Sequence, residues 1–231
     1  MGRTEELYGI QEEIAARTII EDTFDPEEIA LIAGADQAFF LDSHAEEKIV
    51  SAIVLLDYPG LQVLEYAYAV LPVEFPYIPG LLAFREAPAL LAAFRKLSSQ
   101  PDLVIVDGGG INHPRYAGLA THIGVLLDIP TIGVTKKLLC GTGELPTVEG
   151  DARVIRYDNR EVGYYLKSKT GCRPIIVAPG HKVAFQTALQ LTKACILRHK
   201  LPEPVRIAHL SANNVKRSLS KRTNGLTDRK V

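Results

Sequence analysis

The chain has 231 residues, 47% hydrophobic and 23% charged, with a formal net charge of −1. That is ordinary for a soluble globular protein, with enough apolar side chains for one α/β domain or two small ones around a large core. No apolar run is long enough to cross a bilayer, and the overall charge gives no reason by itself to expect a nucleic-acid partner. The acidic N-terminus lacks the apolar core of an export signal, and Glu6 stands where myristoylation requires Ser or Thr. Cys140, Cys172 and Cys195 are widely spaced with no C-x-x-C, which predicts free thiols in a reducing cytoplasm. Charge is uneven. Nine acids against Arg3 and Arg17 fall within residues 1–30, whereas residues 211–231 carry six basic residues against Asp228. A basic tail of this kind serves phosphate binding or is simply solvated.

In chain order, Thr4 is placed to cap a helix whose apolar positions are Leu7, Ile10 and Ile14. The segment from Ile29 to Ala35 reads as a strand ending at Asp36. Two further strands follow near Ile49–Leu56 and Gln62–Val70, with Asp57-Tyr58-Pro59-Gly60 as the turn. Three strands with short links predict an antiparallel meander. Leu71 to Gly80 contains three prolines and predicts a stiff irregular loop. Leu81–Arg85 is read as a turn of helix, and Pro88 as the first turn of a second helix over Ala89–Leu97, with Glu86 just ahead of it.

The next stretch is the most informative. Leu103-Val104-Ile105-Val106 reads as a buried strand that ends in Asp107 and is followed by Gly108-Gly109-Gly110. His113-Pro114-Arg115 leads into a helix over Tyr116–Leu127, Pro130 breaks it, and Thr131–Val134 is a second strand with Lys136 and Lys137 at its end. Strand, helix and strand of this length form a βαβ unit, so the two strands are expected to be parallel with their C-terminal ends on one sheet edge. Asp107 and Lys136 then share the edge at which α/β sheets bind ligands. A dinucleotide fingerprint beginning at Gly108 fails, because its last glycine would fall on His113. Beyond it, Arg153–Tyr157 and Val162–Lys167 predict a hairpin, and Pro174–Ala178 a short strand. Val183–His199 predicts a helix, and Pro202 opens a last helix with Arg206 and His209 near one face. The whole reads as one domain over residues 1–218 with a mixed five-stranded sheet, and a basic, flexible tail over 219–231.

If the first and fourth strands lie side by side and parallel, Asp36 and Asp107 come within a few ångströms of each other. Two carboxylates that close require a cation to stay ionised. A hard Mg²⁺, or Mn²⁺ in its place, bound by carboxylates, water and phosphate oxygens suits them. With Lys136 on the same edge, the residue types point to metal-assisted phosphodiester hydrolysis. Bland readings exist for each residue alone. Asp107 suits a turn or a helix cap, Glu86 a helix N-terminus, Lys136 a solvated surface and Tyr77 a core next to Phe75.

Strand order and acid placement resemble the ribonuclease-H-like fold, an α/β architecture with a mixed central sheet and helices on both faces. The ordered set Ala33-Gly34-Ala35-Asp36, Pro76-Tyr77-Ile78-Pro79-Gly80 running on to Phe84-Arg85-Glu86, Val106-Asp107-Gly108, His113-Pro114-Arg115, Lys136-Lys137 and Pro179-Gly180-His181 resembles the endonuclease V family over nearly the whole chain. The resemblance implies a DNA repair endonuclease acting on deoxyinosine. It would cut the second phosphodiester 3′ to the lesion and leave 3′-hydroxyl and 5′-phosphate ends. It further implies Asp36, Glu86 and Asp107 as metal ligands, Lys136 beside the scissile phosphate and His209 at a fourth catalytic position on the last helix. Tyr77 would be a wedge that replaces the extruded base; Gly80, Leu82, Gly108 and Gly110 would line the base pocket, and His113 would lie near the nucleic-acid backbone. Gly109 stands where many members have His, and Ala178 where Ser is frequent. The expected partner is DNA containing deoxyinosine, with inosine in RNA as the alternative, bound by a cytoplasmic monomer with no membrane association. A non-catalytic nucleic-acid-binding protein is the competing class, and the retention of Asp36, Glu86, Asp107 and Lys136 speaks against it.

Overall fold

The computed structural model describes the backbone of residues 2–224 and the side chains of residues 4–220. Strands β1 (Leu31–Leu41), β2 (Glu47–Asp57) and β3 (Val63–Pro72) form the expected antiparallel meander. Strand β4 (Leu103–Asp107) pairs with β1 in parallel, Ile32 opposite Leu103 and Ala35 opposite Val106. Helix α3 (Leu119–Leu127) then returns the chain to β5 (Thr131–Thr135), parallel to β4. The sheet does not stop at five strands. Strands β6 (Ala152–Tyr157), β7 (Arg160–Leu166) and β8 (Ile175–His181) continue it antiparallel in the order β3-β2-β1-β4-β5-β8-β7-β6, giving eight. The hairpin and the short strand are legible locally, but which edge they join depends on residues far away in sequence.

Helices cover both faces, as expected of the fold class. The first four side chains of β4 are no more than 1% exposed and alternate between two clusters. Leu103 and Ile105 pack toward α4 (Phe185–Ala194) and α5 (Glu203–Asn224). Val104 and Val106 pack toward α3 and α2 (Leu82–Phe94). Helix α2 is one continuous element, not two, and Glu86 lies within it. Pro88 removes one backbone donor, yet burial of Ala83, Ala87, Ala89, Leu90 and Ala93 against the sheet holds the helix through it. Helix α1 (Gly2–Ala16) begins ahead of Thr4 and seats Ile14 on Ala117 and Val125.

Strand β1 runs past Asp36 to Leu41, so Asp36 is a mid-strand residue rather than a strand end. Helix α5 runs through Asn224; the rest of the expected tail, residues 225–231, lies outside the described residues. Cys140, Cys172 and Cys195 are unpaired. Among the described residues no helix is long and apolar enough to cross a membrane.

Candidate active site

The parallel register of β1 and β4 fixes the first pair of acids. Ala35 faces Val106, so the next residue of each strand, Asp36 and Asp107, sits at the same height. Asp36 is 6% exposed. One of its oxygens accepts the Gln37 backbone N–H at 2.8 Å, and the other lies 2.6 Å from Nδ1 of His209 on α5. Lys136 Nζ, at the end of β5, donates to Asp107 Oδ2 at 2.9 Å. One donor atom each from Asp36, Asp107 and His209 lies within 4.8 Å of the others. Two carboxylate oxygens and an imidazole nitrogen at that spacing fit a divalent cation that favours oxygen and tolerates one nitrogen.

How α5 reaches Asp36 is a matter of close approach. A Cβ on Gly34 would fall 2.0 Å from the Pro204 carbonyl oxygen, so the start of α5 rests directly on β1. From there the strand advances two residues, about 6.6 Å, to Asp36. The helix advances five residues, about 7.5 Å, to His209. The matched rise brings the two side chains together.

Glu86 stands outside the group of three and acts on it through charge. It is 7% exposed. Burial, with the Asp36 and Asp107 carboxylates, raises its pKa from 4.5 to about 8. Burial and Asp107 raise Asp36 from 3.8 to about 6, against the hydrogen bonds from Gln37 and His209. Asp36 and Glu86 thus keep their protons to higher pH than ordinary carboxylates, and a bound cation would displace those protons.

This has a measurable consequence. The folded state keeps a proton on Glu86 that the unfolded chain has already released, so stability falls as pH rises toward 8. His113 and His122, each lowered from 6.5 to about 4 by burial, have the opposite sign and offset the acids only up to pH 6.5. The metal-free protein is therefore expected to lose thermal stability between pH 6.5 and 8. The slope should vanish in Glu86→Gln, and melting curves at matched ionic strength check it.

Next to the acids lies a cavity of about 350 Å³ whose walls include Tyr77, Gly80, Leu82, Gly108, Gly109 and His113. It shares a wall with the acid group, since Gly108 follows Asp107 directly. Tyr77 is 69% exposed, carried on the proline-rich loop rather than in the core. Arg85 braces that loop: its guanidinium donates to the Phe75 carbonyl at 2.7 Å, pairs with Glu47 and stacks on the Phe39 ring at 4.6 Å. Gly110, expected in the pocket wall, lies behind it, because a Cβ there would fall 2.1 Å from the Pro179 carbonyl oxygen. Gly109 takes the lining position instead. His113 is 5% exposed and both ring nitrogens are engaged within the protein. Nδ1 accepts the Arg115 backbone N–H at 3.2 Å, which leaves Nε2 to donate to the Gly80 carbonyl at 3.1 Å. Burial keeps this ring neutral, consistent with one donating and one accepting nitrogen.

Residues 12–210 match the family model for Endonuclease V. The chain belongs to the endonuclease V family. It is 44% identical to the endonuclease V of Roseiflexus castenholzii over 205 residues, 88% of this chain and 89% of that protein. The crystal structure of Streptomyces avermitilis endonuclease V is 36% identical and superposes with a TM-score of 0.85 over 93% of each chain. Endonuclease V of Ciona intestinalis, in complex with a 23mer DNA containing an inosine followed by a ribo-adenosine, is 26% identical. Its TM-score is 0.82, over 94% of this chain and 98% of that one. Family membership makes the chain a nuclease.

Within this endonuclease V site, Asp36, Asp107, Lys136 and His209 are brought together, Glu86 is close by, and Tyr77, Gly80, Leu82 and Gly108 border the adjoining cavity. In the sequence Gly34 stands out only as part of the motif ending at Asp36, with no role of its own, and Gln11 does not stand out. Gly34 sits two residues before Asp36, a spacing that puts both on one face of a strand. Gln11 sits between Leu7 and Ile14 at spacings of four and three, a polar residue in the inner stripe of a helix.

Proposed function

We propose that this endonuclease V recognises deoxyinosine in DNA and hydrolyses the second phosphodiester bond 3′ to it, leaving 3′-hydroxyl and 5′-phosphate ends, with Mg²⁺ as the cofactor and Mn²⁺ able to replace it. The observation that carries the reading is the adjacency of the two sites. A three-donor group spanning 4.8 Å abuts a cavity of about 350 Å³ beside an exposed aromatic. That volume suits a single flat base removed from the helix. The complex of Ciona intestinalis endonuclease V with inosine-containing DNA supports the choice of base.

In this reading Asp36 and Asp107 hold the cation, with His209 fixing the Asp36 carboxylate and Glu86 completing the acidic set. When bound, Mg²⁺ supplies charge stabilisation at the cleaved phosphate. Lys136, half-exposed beside Asp107, turns its ammonium to a phosphate oxygen as the strand enters. Glu86, whose pKa of about 8 lies near neutrality, is placed to hold or release a proton within the acid group. Tyr77 fills the gap left by the extruded base, and the glycines at 80 and 108 leave room for the purine. The protein acts on its substrate as a monomer, built as a single domain over residues 1–218.

A second reading has an observation of its own. The DNA bound by the Ciona relative carries a ribonucleotide directly after the inosine, so inosine in RNA is also a candidate substrate. The 2′-hydroxyl would be the distinguishing group.

The test is strand cleavage of matched duplexes containing inosine or adenine at one position, and of the inosine RNA strand, with Mg²⁺, with Mn²⁺ and with chelator. A nick at the second bond 3′ to inosine, dependent on either cation and absent from the adenine duplex, supports the reading. Equal cutting of both duplexes, or full activity in chelator, contradicts it.

A further inference from the structure

The Gly80 carbonyl closes the loop that carries Tyr77, and three donors converge on it. They are Gln11 Nε2 at 2.9 Å, Arg115 Nη2 at 2.8 Å and His113 Nε2 at 3.1 Å. Gly80 itself has φ +80, and a Cβ there would lie 3.0 Å from Arg115 Nη2, so the backbone is pressed against the guanidinium. Two of the donors lie near each other in sequence. Gln11 does not; it reaches the carbonyl from α1, 69 residues away.

Gln11 is fully buried. Its Oε1 accepts from Arg115 Nε at 2.6 Å, so the same side chain orients the guanidinium and shares its target. The outer face of that guanidinium lies 4.0 Å from the centre of the Tyr8 ring, also on α1. A neutral amide is the group this position needs. It presents one acceptor to Arg115 and one donor to Gly80, which neither a carboxylate nor an apolar side chain provides together. Gly80, His113 and Arg115 all border the base-sized cavity, whereas Gln11 does not.

We infer that Gln11 is a positioning residue: from the N-terminal helix it sets the Gly80 carbonyl, and through it the width of the base pocket and the stance of the Tyr77 loop. The inference deepens the deoxyinosine reading and rests on it for its substrate arm. Selectivity for the lesion then depends on a helix that supplies no atom to the pocket.

The experiment compares wild type, Gln11→Met and Ile14→Ala. Gln11→Met keeps the length and burial of the side chain and removes its donor and acceptor. Ile14→Ala loosens the packing of α1 on Ala117 and Val125 without touching Gly80. Two readouts are taken: amide hydrogen exchange across residues 73–81 of the free protein, and KM and kcat for the inosine and adenine duplexes. For Gln11→Met, exchange in the loop is expected to quicken while the core strands keep their protection. KM for the inosine strand should rise about tenfold, the scale of one lost buried hydrogen bond, with the preference over adenine narrowed and the loss falling on KM rather than kcat. Ile14→Ala should lower the melting temperature without either change. Unchanged loop exchange and KM in Gln11→Met would overturn the inference, and so would an Ile14→Ala protein that reproduces the effects of Gln11→Met. If wild type does not nick inosine yet the loop responds to Gln11→Met alone, the deoxyinosine reading fails and the brace stands.

Discussion

Replacing Asp36 or Asp107 by asparagine is expected to reduce cleavage of the inosine strand on the order of 10³-fold, the share of the barrier that a cation's several kcal/mol supplies. The same substitutions should make the metal-free protein more stable. Burial and the neighbouring carboxylate hold Asp36 at about 6, and Asp36 and Asp107 both push Glu86 upward. Removing one charge from a crowded group relieves the others. Asparagine retains an oxygen for the Gln37 N–H and a group to meet His209, so the local hydrogen bonds survive. Loss of activity with a gain in melting temperature separates a functional role from misfolding, since a site strained for its task trades stability for activity. Near-wild-type cleavage by either variant would remove the acids from the chemistry.

The second large effect is steric. Gly34→Ala puts a methyl group 2.0 Å from the Pro204 carbonyl oxygen, where no side-chain rotation can avoid the backbone. Either β1 or the start of α5 must move. Overpacking of this kind costs about 1–3 kcal/mol or more. For a chain of this size each kcal/mol shifts the melting temperature by about 2–4 °C, so a fall of roughly 2–12 °C is expected. Because Gly34 and Pro204 anchor the approach of His209 to Asp36, cleavage should fall with stability, and nuclear magnetic resonance of the His209 ring would report the broken contact. Gly9→Ala in α1 is the control. Nothing lies within 4 Å of the added methyl, and alanine in a helix interior is favoured over glycine by about 0.5–1 kcal/mol. The same chemical change should therefore stabilise at residue 9 and destabilise at residue 34.

The contrast between these glycines shows where a sequence is readable. Leu103 to Asp107 announces a buried strand by its β-branched run, and the βαβ spacing makes it parallel to the next, so Lys136 beside Asp107 follows from local pattern and handedness. The pairing of Asp36 with Asp107 needed only the further step of setting the first strand against the fourth. Pro88 misled for a definite reason: its helix-breaking tendency is local, whereas the burial that overrides it comes from the sheet beneath. The edge joined by β6, β7 and β8 and the contact of Gln11 with Gly80 depend on partners far along the chain, which no window of sequence contains. His209 was legible as a candidate through the family resemblance alone. Its contact with Asp36 depends on the close packing of α5 at Gly34, a requirement that appears only once the helix lies on the strand.

Folding gathers Asp36 and Asp107, with His209 against Asp36, into a group suited to one cation beside the base-sized cavity. The most direct measurement is anomalous diffraction from crystals of the protein soaked in Mn²⁺ with an inosine-containing strand. An anomalous peak between the Asp36 and Asp107 carboxylates, next to His209, is expected, with the inosine base in the cavity bordered by Tyr77, Gly80 and Gly108. A bound strand with manganese elsewhere, or with its inosine stacked in the helix and that cavity empty, would contradict it.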